Sequence, residues 1–172
     1  PDAAATEAFV SARAAGRPVA SDRPCSSEVP LPEKIVSAKR TLLPQEIERY
    51  RLLGRDAAQA MREALGEAAP DWSENHLAAA GAKALLDRGI EPALILAGGE
   101  SRVEKYRHPT PTASPIGKRA MLVFCARRHG LFANLTRFVY FSEPTPLERK
   151  RAEDAAKVEA AAFSASVPGA SL

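Results

Sequence analysis

Two apolar, β-rich runs, Arg119–Ala126 and Leu131–Phe141, flank Arg127-Arg128-His129-Gly130, and this pairing limits the fold more than any other feature of the chain. Strands separated by so short a link form an antiparallel hairpin, with Gly130 expected to take the positive φ of the turn. A third apolar run, Pro92–Ala97, is closed by Gly98-Gly99 and reads as another strand. The connection 100–118 is polar, carries three prolines, and reads as loop.

Helices occupy most of the remainder. Residues 3–15 are alanine-rich and read as a short helix stopped by Gly16. From Arg17 to Pro32 there are four prolines, several serines and no periodicity, the composition of a linker or extended surface segment. Pro44 opens a helix at its favoured first-turn position, with Ile47, Tyr50, Ala57, Met61, Ala64 and Leu65 on one apolar face. Pro70 stops it. Asp71-Trp72-Ser73-Glu74 reads as a capping box for a second helix that buries Leu77, Gly81, Ala84 and Leu85 and ends at Gly89. Thr145-Pro146-Leu147-Glu148 is another capping box, launching a helix to about Ser166. The order helix, helix, strand, loop, strand, strand, helix predicts an α+β fold with helices on one face of an antiparallel sheet.

Charge and composition narrow the partners. The net charge is +3, from 24 basic and 21 acidic side chains, with no basic stripe and few aromatics interleaved, which argues against nucleic acid. No apolar run approaches the roughly 20 residues that span a bilayer. The N-terminal Pro-Asp-Ala-Ala-Ala lacks an initiator Met and a basic, then apolar, leader, so a piece of a longer chain is expected. Cys25 and Cys125 lie far apart without CxxC spacing, so no disulfide and a cytoplasmic setting are expected. Cys125, within an apolar strand, reads as a core residue.

The second β-rich run contains a polar break, Asn134-Leu135-Thr136-Arg137, which marks a site. Gly130-Leu131-Phe132-Ala133-Asn134-Leu135-Thr136-Arg137 resembles the Gly-Tyr-x-x-Asp-x-Thr-Arg motif of the creatinase/prolidase/aminopeptidase P (M24-type, pita-bread) hydrolases. Other joints are similar in the same order. Gln45–Arg51 resembles the family's first-helix opening, Pro70-Asp71-Trp72-Ser73-Glu74 its turn into the second helix, and Tyr106-Arg107-His108-Pro109 falls where the family carries its first active-site His. The resemblance covers residues 38–172 and implies the N-terminal half of a pita-bread hydrolase domain. Residues 1–37 are then the tail of a preceding domain or a linker, and the family's later ligands fall beyond Leu172.

The resemblance implies hydrolysis of a C–N bond, peptide or amidino, in an Xaa-Pro dipeptide or a small guanidino or amide compound. It also implies a homo-oligomer, a homodimer in many members. A divalent metal such as Mn is the family norm. Here, however, the second ligand position is Asn134, and eleven positions before it stands Val123. A neutral amide and a side chain without a donor atom do not hold two divalent cations, so no metal centre is expected.

His108 is the catalytic candidate, because its neutral-range pKa suits acid–base work and creatinase uses the corresponding His without metal. The alternative is a surface-loop His without a role. Asn134 is a substrate-binding candidate through its paired donor and acceptor, or a position that only completes the strand. Arg107 and Arg137 are candidates for an anionic substrate group. Arg137 lies three residues beyond Asn134, on the opposite face of the strand, where a structural ion pair is the competing reading. Two functions remain open: a metal-independent hydrolase, inactive as this fragment, and a pseudo-peptidase that binds peptide or protein.

Overall fold

The computed structural model describes residues 2–24 and 28–170, so the expectation for Cys25 falls outside the described residues. The chain divides into two compact units, the first ending at Ile47 and the second beginning at Glu48.

In the first unit, α1 (Ala3–Ala14) is capped by the Asp2 carboxylate, which accepts from the Ala4 and Ala5 amides. Two residue pairs, β1 (Ala20–Ser21) and β2 (Val29–Pro30), lie parallel. They fall within the stretch expected as linker or extended segment. A second short helix, α2 (Glu33–Arg40), was not anticipated from the sequence; with only Ile35 and Val36 among charged neighbours it has little apolar pattern to read. Neither α1 nor α2 buries a residue.

Helix α3 (Pro44–Glu67) starts at the proline and ends before Pro70, as the sequence requires. Leu53, Ala57, Ala60, Met61 and Ala64 form its buried stripe. The expected stripe extends too far toward the N-terminus: Ile47 and Tyr50 are exposed. Helix α4 (Glu74–Leu86) buries Leu77, Ala78, Gly81, Ala84 and Leu85.

Three antiparallel strands follow, β3 (Glu91–Gly99), β4 (Arg119–Arg128) and β5 (Leu131–Tyr140), in the order β3-β4-β5. The β4–β5 turn holds only His129 and Gly130, both at positive φ (54° and 78°), the type I′ geometry whose twist matches the strands. Alternation along β4 splits the sheet into two faces. Ala120, Leu122, Phe124 and Ala126 are fully buried in the cluster formed with α3 and α4, and Leu131, Ala133, Leu135 and Val139 of β5 join them. A Cβ on Gly81 of α4 would lie 2.7 Å from the Phe124 ring, so the helix approaches the sheet more closely there than any side chain permits. The other face, carrying Val123, Cys125, Asn134 and Thr136, points away from α3 and α4. Helix α5 (Pro146–Ala165) begins with the expected capping box and buries no residue. The fold is α+β, with helices on one face of an antiparallel sheet.

Candidate active site on the open sheet face

The register of the hairpin decides which side chains can act together. Cys125 lies directly opposite Asn134, and Val123 opposite Thr136. Directly opposed residues share a face, so Val123 and Asn134 are diagonal neighbours on the open side, about 7–8 Å apart in such a ladder. Cys125 is therefore not the core residue expected from its apolar strand; it is half-buried on the open face, because the odd positions of β4 point away from α3 and α4.

His108 reaches this region through its neighbour. Pro109 is fully buried, and its Cγ would lie 2.6 Å from a Cβ at Gly98. Gly98 pairs with Met121, an open-face position, so the 100–118 connection crosses the β3 end of the open face at Pro109. His108 and Arg107 are exposed immediately before that anchor.

Arg137 goes elsewhere. It belongs to the helix-covered parity of β5 and lines a 620 Å³ cleft with Arg55, Met61, Arg62 and Leu65. It donates to the Thr136 carbonyl at 2.7 Å and, among the described residues, pairs with no carboxylate. The structure thus brings Asn134, Val123 and the His108 loop to one face and separates Arg137 from them.

What holds the loop is a residue that sequence reasoning assigned to another task. Of the two cap candidates in that box, Asp71 and Ser73, it is Ser73 that caps α4, accepting from the His76 amide at 3.1 Å. A capping box built on Ser73 would place its acidic partner at His76, so Glu74 has no capping duty. Its side chain is fully buried instead. It accepts from the Gly99 amide (2.8 Å), from the Thr112 amide (3.0 Å) and hydroxyl (2.7 Å), and from the Arg102 guanidinium. Arg102 also donates to the Thr110 carbonyl at 2.9 Å and lies 5.3 Å from the Tyr106 ring centroid. In return, the loop carbonyls of Ser114 and Thr112 take the Glu74 and Asn75 amides, which the first turn of a helix otherwise leaves unpaired.

A second charged cluster borders the face where α5 begins. Arg119 bonds Glu148 and, at 2.6 Å, Glu104. Burial works against the Arg119 charge, but its hydrogen bond to Glu104 and the charge of Glu148 outweigh it and raise its pKa. The Thr145 hydroxyl and amide, helped by Arg119, hold the Glu148 carboxyl below its ordinary value against the opposing effect of burial. The Arg119 Nε is buried without a partner.

A dinuclear centre of the kind the resemblance implies would need carboxylates at positions 123 and 134. Val123 has no donor, Asn134 only a neutral amide, and Cys125 a single sulfur. Among the described residues no three or more His, Cys, Asp or Glu side chains gather as a metal group. The residues present do not fit such a centre.

The fold has close counterparts. Prolidase from Pyrococcus furiosus superimposes with a TM-score of 0.67 at 18% identity, covering 77% of this chain and 41% of that one. X-Pro aminopeptidase from Thermotoga maritima MSB8 gives 0.63 at 16% identity, over 72% of this chain and 36% of the other. Xaa-Pro dipeptidase from Bacillus anthracis gives 0.63 at 17% identity, over 73% and 36%. The chain therefore spans well under half the length of these three structures, whose pita-bread fold it shares. No curated protein matches it. The profile of metallopeptidase family M24 matches residues 48–172, the whole second unit, and the chain belongs to that family.

Proposed function

We propose that this chain supplies the N-terminal half of the active site of a hydrolase that cleaves a C–N bond, in an Xaa-Pro dipeptide or a small amide or guanidino compound, without a dinuclear metal centre. The observation carrying this reading is the open face itself. It keeps the fold of a peptidase family, with the His108 loop crossing one end, while Val123 and Asn134 share that face at the positions the resemblance gives to charged ligands. His108 is the acid–base group, taking a proton from the attacking water or giving one to the leaving nitrogen. Asn134 orients the substrate amide or carboxylate through its donor and acceptor. Arg107, exposed beside His108, meets an anionic end of the substrate. Arg137 takes no part, since it serves the other face.

The test is turnover of Xaa-Pro dipeptides and creatine by the full-length protein, with EDTA and with added Mn²⁺. Activity that survives EDTA and falls at least about 10²-fold in His108→Ala is expected, the usual scale for loss of a general acid–base group. Turnover that requires Mn²⁺ would overturn the metal-free mechanism.

A second reading is a pseudo-peptidase that binds peptide or protein. The same substitution of Val and Asn for carboxylates favours it, as does the exposure of Phe132 and Phe138 on the open face. Binding of proline-containing peptides with no cleavage by the full-length protein decides for it.

A further inference from the structure

We infer that Glu74 is the positioning residue of the His108 loop: one buried carboxylate ties both limbs of the 100–118 connection to the start of α4 and thereby fixes where His108 stands over the open face. The inference rests on the proposed function only for the consequence in catalysis. Its structural part stands on the hydrogen bonds alone.

A carboxylate removed from water needs hydrogen-bond donors at both oxygens, or the buried charge is uncompensated. Glu74 meets that demand with donors drawn from one connection and its boundary. Gly99 closes β3 as the chain departs, Arg102 is on the outgoing limb, and Thr112 is on the return limb. Pro109 and His108 lie between the two limbs. Arg102 strengthens the tie by donating across the loop to Thr110. The outgoing limb is further wound by Val103 and Tyr106 amides bonding to the Gly99 and Arg102 carbonyls at 3.0 Å each. The return limb is laced to α4 and the turn before it, with the Ile116 amide on the Trp72 carbonyl at 2.9 Å. Pro109 and Ile116 anchor the loop by burial, and the Glu74 carboxylate is the polar tie that joins its two limbs. A buried acid of this kind also has a plainer role, as one more polar contact stabilising the core as a whole. The two roles differ in what moves when the tie is cut: the loop alone, or everything.

The experiment compares the full chain with Glu74→Gln, Thr112→Val and Thr112→Ser by amide exchange and by the ¹H–¹⁵N imidazole signals of His108. Thr112→Val deletes a half-buried loop hydroxyl that donates to Glu74 and accepts from the Ser114 amide at 3.1 Å, and it keeps the test usable should Glu74→Gln fail to fold. Exchange at Val103, Tyr106 and Ile116 should quicken about tenfold or more in Thr112→Val, with shifted His108 signals, while β4–β5 amides keep their protection. Thr112→Ser should restore both readouts. Unchanged loop exchange and unmoved His108 signals would overturn the inference, as would equal acceleration in the β4–β5 amides. Failure of the proposed function is separate: turnover unaffected by His108→Ala removes the acid–base role and leaves the exchange result to decide on Glu74.

Discussion

The two faces of β4 differ more than the two ends of the chain do. On one face Ala120, Leu122, Phe124 and Ala126 are all completely buried under α3 and α4. On the other, Met121 is buried, but Val123 and Cys125 are half-buried and Arg127 is exposed, paired with Glu91 at 3.1 Å. Neighbouring residues of a single strand therefore answer to different constraints. The helix face must fill a fixed volume, and it keeps the fold recognisable at identities of 16–18%. Much of the open face carries less of that demand, and there stand Val123 and Asn134, at the positions that the resemblance gives to charged ligands. Fold and chemistry separate along a two-residue period.

The comparison breaks most readily at its strongest point. Leu122→Lys puts a charge among apolar side chains directly opposite the cationic Arg137, a penalty of several kcal/mol against a typical stability of about 5–15. We expect no folded protein by circular dichroism. Phe124→Ala leaves a cavity under α4 and should cost about 3–5 kcal/mol in urea unfolding. One residue away, Val123→Ala on the open face should cost under about 1.5 kcal/mol. Equal losses at positions 123 and 124 would erase the distinction between the faces.

A gain of binding sharpens the same contrast. The double variant Val123→Asp and Asn134→Asp restores two carboxylates as diagonal neighbours, on a face that tolerates charge. It should fold, and Mn²⁺ at ten times its Kd should stabilise it by about 1.4 kcal/mol, read as a rise in Tm of a few degrees. The unmodified chain should show no such rise. A Mn²⁺-dependent shift in the unmodified chain would mean that Val123 and Asn134 are not what decides metal binding here.

These contrasts also show what was legible in the sequence. Periodicity exposed α3, α4 and the hairpin because each buries a face, and a buried face leaves a repeating apolar mark. The Thr145 capping box was readable because all its partners lie within four residues. Cys125 was misplaced because an apolar strand flanked by apolar neighbours does not say which of its two faces is covered. Helix α2 left no mark, since it buries nothing. Glu74 was misread for a different reason. Its partners at positions 99, 102 and 112 are 25 to 38 residues away, and local spacing offered a nearer use for it at the cap. His108 was legible as a residue type before a proline, while its place at the open face depends on Pro109 meeting Gly98, a contact without sequence signature.

The smallest expected effect lies at the rim of the open face, and its sign follows from Glu148. That carboxyl closes the capping box of α5 by accepting from the Thr145 amide at 2.6 Å and hydroxyl at 2.7 Å, and it also bonds Arg119. Its pKa is lowered in the folded protein, by Thr145 first and by Arg119 after the opposing effect of burial. A lowered folded value means that the contribution is complete above the ordinary carboxylate range and is lost as pH falls through the lowered value. Amide exchange in the first turns of α5 should therefore quicken in acid, after correction for the intrinsic rate, while amides of β4 under α3 and α4 do not follow. Glu148→Gln removes the titrating group, so α5 should be looser at neutral pH and indifferent to acid. An α5 that loosens in acid equally with glutamine at 148 would assign the pH response to another group.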